Sequence, residues 1–153
     1  ALAQLTRHRV GFSFSVQSQR YVRFGSDDKS GGFGYVTPPS CETNKEIEVD
    51  FNDGDPPMSL SVNEFYKNAM RASQLAYDAL RAAGVPPEDA RMVLPQAATC
   101  NLVMTANLRA ILDFYAKRKP GRGAQWEIAE LAEKIRAEVV SVDDWTERFF
   151  DEV

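Results

Sequence analysis

Two hydrophobic periods divide this chain. Through residues 12–24 apolar and polar positions alternate loosely, with Phe12, Phe14 and Val16 set against Ser13, Ser15 and Gln17. That period of two predicts a strand. Residues 46–51 alternate again through Ile47, Val49 and Phe51 and predict a second, short strand. From Ser61 onward the pattern becomes helical. Phe65, Ala69, Ala72, Ala76, Ala79 and Ala83 fall at alternating steps of four and three, a narrow stripe of mostly small side chains. Ser61-Val62-Asn63-Glu64 reads as a capping box at the start of this helix, and Gly84 with Pro86-Pro87 ends it.

The remaining segments follow the same rules. A short helix is predicted over 88–92, and residues 97–105 read as strand or as an extended lead-in. A third helix is predicted over about 106–117 and a last long one over about 124–140, burying Ile128, Leu131, Ala132, Ile135 and Val139 on one face. Residues 1–5 resemble the final turns of a helix, and residues 25–44, rich in Gly, Ser, Asp and Pro, a surface loop. Strand in the first half and helix in the second predict an α+β fold, a small mostly antiparallel sheet packed against a helix-rich second half. A single domain over 1–153 is expected.

Composition narrows the class. A chain of 153 residues, 44% hydrophobic and 26% charged, has the balance of a folded globular protein. Cys41 and Cys100 form no paired motif, suit a reducing compartment and suggest no metal site. There is no apolar run of about 18 residues, so no transmembrane helix is predicted, and residues 1–5 lack the features of a signal peptide. The expected location is the cytoplasm. A sequence pI near 5.1 argues against nucleic-acid binding.

Charge is unevenly spread. Residues 1–26 carry +4 and the rest −8, giving the net −4. Within the basic stretch lie Arg7, His8, Arg9, Arg20 and Arg23, with Ser13, Ser15 and Ser18 between them. Guanidinium forks bind phosphate bidentately, and hydroxyls complete the shell, so this pattern points to a small anion. Taken alone, Arg7-His8-Arg9 reads as a solvated basic turn and His8 as a core histidine. A strand from the triplet to Ser18 and Arg20 would instead line one cleft wall. One histidine without partners at ligand spacing makes no metal site. Asn107, Arg109 and Arg118 flank the apolar stripe of the third helix, as solvent-facing groups also do. Arg91, in an otherwise apolar segment, reads as a site residue or as a snorkelling surface arginine. Run 31–34, rich in glycine, lacks the spacing and the following helix of a dinucleotide fingerprint.

The order of these pieces resembles the flavin-dependent thymidylate synthases. That family's signature opens R-H-R, as Arg7-His8-Arg9, and reaches S-x-R-Y, as Ser18-Gln19-Arg20-Tyr21. A-R-x-x-L-P follows at Ala90 to Pro95, then N-x-R at Asn107 and Arg109, an arginine near a helix end at Arg118, and Ala124-Gln125-Trp126-Glu127-Ile128. The resemblance implies methylation of dUMP to dTMP with methylene-tetrahydrofolate, using FAD reduced by NADPH, in a homotetramer with shared active sites. It implies Arg7, His8, Arg9, Asn107, Arg109 and Asp113 at the FAD. It implies Gln4, Arg7, Gln17, Ser18, Gln19, Arg20, Arg91 and Arg118 at dUMP, with Arg118 and Ser18 catalytic. A fixed Arg118 cation would favour the ionised uracil and so activate its ring carbon.

The chain also departs from the family pattern. The spacer from Arg9 to Ser18 is one residue longer than usual, and Val16 or Gln17 stands where a glutamate is common. Asp113 replaces an asparagine, and Arg122 or Gly123 a histidine. Members also carry a segment upstream of the triplet, so the chain is expected to be an N-terminally truncated piece of a synthase or to take that segment from a companion piece. A non-catalytic binder of dUMP or flavin and a helical oligomerisation module are the alternative expectations.

Overall fold

In the computed structural model, which describes residues 1–50 and 56–153, strand β1 spans Phe12–Val16. It is shorter than the alternation predicts, and the chain shows why. The Ser18 hydroxyl accepts the backbone N–H groups of Arg20 at 3.2 Å and Tyr21 at 3.3 Å, and Val22 N–H bonds the Ser18 carbonyl. A serine that satisfies nearby amides offers the backbone a turn in place of a ladder. Residues 17–24 are therefore turn and loop.

Two compact units make up the fold. The first joins Ala1–Ser15 to Leu102–Val153. It holds helix α1 (Leu2–Leu5), strand β1 paired with β4 (Leu102–Ala106), and helices α4 (Leu108–Arg118), α5 (Trp126–Val142) and α6 (Glu147–Asp151). Phe12 and Phe14, on the same side of β1, stack at 5.6 Å. Leu5, Phe114, Ile128, Ala132 and Phe150 are almost fully buried and form the core, with Leu131, Ile135 and Val139 packed against it as the helical period predicts. Asn107 caps α4 by accepting Ala110 N–H at 2.9 Å.

The second unit is Val16–Asn101. Strand β2 (Glu46–Val49) pairs antiparallel with β3 (Met58–Ser61), Glu46 facing Ser61 and Val49 facing Met58. Phe51, assigned to the second strand by its alternation, lies outside the described residues. Helix α2 (Val62–Ala82) starts with the predicted capping box, both Ser61 and Glu64 bonds being present. It ends in a Schellman motif: Val85 N–H bonds Leu80 O and Gly84 N–H bonds Arg81 O, with Gly84 at a φ of 84° that favours glycine.

The face α2 buries within its unit carries the larger side chains, Met70 and Tyr77, with Tyr66 packed alongside. The small-residue stripe lies beside it, and Ala69, Ala72, Ala79 and Ala83 are exposed. Gln74, at the edge of the buried face, ties down the long loop. Its amide donates to Phe24 O at 2.8 Å and its carbonyl accepts Phe33 N–H at 2.9 Å. A Cβ at Gly32 would stand 2.5 Å from that carbonyl oxygen, so the glycine there serves close packing.

Helix α3 is only Pro87–Ala90, followed by a 3-10 turn Arg91–Val93, so the predicted short helix splits in two. The expected 97–105 segment is strand from Leu102 to Ala106, with Ala98 in a lone bridge to Tyr35. The α+β class is as expected, with helix concentrated in the second half and strands in two small antiparallel sheets. Among the described residues no helix is long and apolar enough to cross a membrane.

Candidate active site

In the first unit the basic triplet is held against α4 at two points. Gly11 carries a φ of 75°, and its carbonyl accepts Asn107 N–H at 3.3 Å. A Cβ there would lie 2.8 Å from both Ala110 Cβ and Asn107 Nδ2, so only glycine lets the turn after Arg9 approach the helix start this closely. The second point is His8. Its ring meets Phe114 edge-on at 5.0 Å and 83°, and its Nε2 accepts a hydrogen bond from Arg118 Nε at 3.1 Å.

That bond fixes the state of the imidazole. Nε2 can accept only while unprotonated, so the ring is neutral with its proton on Nδ1. The environment agrees: burial lowers the His8 pKa below its ordinary value, and the nearby Arg118 and Lys117 cations lower it further. Arg118 uses Nε for His8, and among the described residues its two terminal nitrogens make no hydrogen bond. A half-buried guanidinium anchored by its inner nitrogen presents its outer fork to a ligand.

The other expected flavin contacts are divided. Arg7, Arg9 and Arg109 are exposed and, among the described residues, have no ion-pair partner. Three exposed cations on one unit are available to an anionic ligand. Asn107 spends its side-chain oxygen on the helix cap, which leaves only its NH2 to donate outward. Asp113 is exposed on α4 and sets a carboxylate one turn from Arg109. Gln4 is half-buried, and its Oε1 is buried with no hydrogen-bond partner among the described residues. A buried acceptor without a donor is costly unless a ligand supplies one.

The second unit carries the other expected nucleotide contacts. Arg20 Nη2 lies 3.4 Å from the Glu88 carboxylate, and Arg91 Nε donates to the Glu88 backbone carbonyl at 3.1 Å. The structure thus brings Arg20 and Arg91 to one residue, and the Arg20 guanidinium lies 5.5 Å from the Tyr21 ring. Ser18 commits its oxygen as acceptor to two amides, so its hydroxyl serves as a donor. Gln17 pairs with Asn101 twice, accepting its N–H at 3.0 Å and donating its own N–H to the Asn101 carbonyl at 2.8 Å. With that oxygen committed, Gln17 acts within its unit as a clamp on the chain. Gln19 is half-buried next to this turn.

Two contributors were not singled out from the sequence. Glu88 was readable as an acid three residues before Arg91 in the first turn of α3. Phe114, the ring under His8, had only an apolar-stripe signal. Among the described residues no cluster of ligating side chains suited to a metal is present.

The family model described as thymidylate synthase complementing protein matches residues 1–143. A flavin-dependent thymidylate synthase of Halobacterium salinarum is 38% identical over 139 residues, 88% of this chain and 56% of that protein. One from Geobacter sulfurreducens is 42% identical over 130 residues, 84% of this chain and 47% of its own. The chain thus spans about half the length of these curated relatives. Among solved structures, the UMP/dUMP methylase PolB of Streptomyces cacaoi, bound with 5-Br dUMP, superposes with a TM-score of 0.72 at 25% identity. The match covers 99% of this chain and 65% of PolB. By a family match that runs through both units, the chain belongs to the thymidylate synthase complementing protein family.

Proposed function

We propose that this chain carries the nucleotide- and flavin-handling part of a flavin-dependent thymidylate synthase. It methylates dUMP to dTMP with methylene-tetrahydrofolate as carbon donor and NADPH as reductant. The observation that carries this reading is Arg118, anchored by His8 through Nε with its outer nitrogens open. The names of the relatives and the nucleotide bound to PolB support the same substrate class.

Arg20 and Arg91 supply the anion-binding chemistry that a nucleotide phosphate requires, with the Ser18 hydroxyl and Gln19 beside them. Arg118 supplies a fixed cation for the uracil. A positive charge held beside the ring lowers the cost of negative charge on it, and density reaching C5 makes that carbon the nucleophile. Gln4 Oε1 offers an acceptor for a ligand N–H. Arg7, Arg9, Arg109 and the Asn107 amide hold FAD, which supplies the redox chemistry of the methyl transfer when bound. The working assembly in this reading is a homotetramer, as the family resemblance implies.

Reconstitution tests this reading. Protein incubated with FAD and desalted should keep a flavin absorbance band, and calorimetric titration should then show saturable dUMP binding. Colourless protein with no heat on dUMP addition contradicts it.

A further inference from the structure

His8 occupies a setting that flavin binding alone does not explain. Its ring lies edge-on to Phe114 from α4 and 6.1 Å from Phe12 on β1, and its Nε2 is spent on Arg118. We propose that His8 is a positioning residue for Arg118: its neutral imidazole accepts the Nε hydrogen bond that aims the guanidinium fork, and acid, by protonating the ring, releases it. The inference rests on the reading of Arg118 as the cation that acts on uracil.

The physical argument concerns rotational freedom. A guanidinium on a four-bond stem has many orientations, and at a helix end little else restrains it. One hydrogen bond from Nε fixes the plane of the fork while leaving both terminal nitrogens for ligand. The acceptor that makes this bond is the group most readily converted to a donor near neutral pH. Once protonated, the ring carries N–H on both nitrogens, accepts nothing, and repels Arg118. The surrounding groups sharpen the change. Arg118 and Lys117 face the ring from α4, Phe12 and Phe114 bring no compensating charge, and Arg7 and Arg9 flank it in sequence. The charges around His8 thus oppose its protonation, which keeps the pair intact at neutral pH.

The single histidine makes the pair directly observable. In protein labelled with carbon-13 histidine, the NMR titration midpoint should lie below about 6.5. Arg118→Met should move it upward. With flavin and cosubstrates present, His8→Phe keeps a ring against Phe114 but removes the acceptor, and kcat should fall by about tenfold or more. His8→Gln, whose amide oxygen can accept in place of Nε2, should recover part of that loss and flatten the acid limb of the wild-type pH–rate profile. A histidine midpoint unmoved by Arg118→Met overturns the proposal, as does a His8→Phe protein with wild-type kcat and pH profile. A midpoint that depends on Arg118 in a protein without dUMP chemistry upholds the pair and refutes the function assigned to it.

Discussion

Arg20 and Arg91 meet at Glu88, one facing its carboxylate at 3.4 Å and the other donating to its carbonyl at 3.1 Å. The Arg20 side chain is 53% exposed and that of Glu88 38%, so water screens the pair and it adds little to stability. In the proposed nucleotide site a phosphate would displace the carboxylate at small cost and give Arg20 a doubly charged partner.

Arg20→Ala and Arg91→Ala should each weaken dUMP binding by about 10–100-fold, the cost of a lost hydrogen bond to a charged group. Calorimetric titration reads this directly. Because Arg20 is exposed, its replacement should leave the urea midpoint nearly unchanged.

Arg118→Ala should act chiefly on turnover. Loss of a fixed cation beside developing charge costs about 10²–10³ in rate. Single-turnover measurement at saturating dUMP checks it, and a change confined to KM would argue for simple ground-state binding.

Stability should fall on the acid side through His8. Its folded-state pKa is depressed, so between the folded and unfolded values the unfolded chain binds more protons. The stability it contributes is full above about 6.5 and drains away as pH falls through the lowered folded value. Urea denaturation across this window should show the slope, and His8→Gln should remove its share of it.

The capping box of α2 gives a local test. Ser61 Oγ accepts Glu64 N–H at 3.2 Å, and the Glu64 carboxylate accepts both the Ser61 hydroxyl at 2.7 Å and its N–H at 3.2 Å. Ser61→Ala should cost about 1 kcal/mol in urea denaturation. The same bonds hold the Glu64 carboxyl below its ordinary pKa, so their contribution is present above that value and is lost in acid.

Asp113→Asn should tighten flavin retention, because it removes a carboxylate one turn from Arg109 on the helix proposed to face an anionic cofactor. Equilibrium dialysis with FAD measures the change.

Much of this was legible in the sequence, for reasons that differ by element. Helix α2 was readable because its capping box and a sustained period of about 3.6 residues speak together, and α4 and α5 from the period. Strand β1 was overextended because alternation continues past Val16 while the Ser18 hydroxyl captures the amides that a ladder needs. Strand β3 was missed because Met58 to Ser61 carries no β-branched residue and runs straight into the cap of α2. The short α6 after Asp143-Asp144 had too few turns to show a period.

The site divides the same way. The resemblance to the synthase motifs singled out Arg20, Arg91 and Arg118, and the structure brings the first two to Glu88 and bonds the third to His8. The motifs did not reveal that His8 and Arg118 bond to each other, since such pairs arise only when distant segments fold together. Nor could spacing show that Asn107 spends its oxygen on a helix cap or that Glu88 stands between two arginines.

The most direct measurement is release of tritium from C5 of labelled dUMP by flavin-loaded protein supplied with methylene-tetrahydrofolate and NADPH. Release that requires the cosubstrates and falls by about 10²–10³ in Arg118→Ala is the predicted result. Release that is absent, or that persists undiminished without the Arg118 guanidinium, contradicts it.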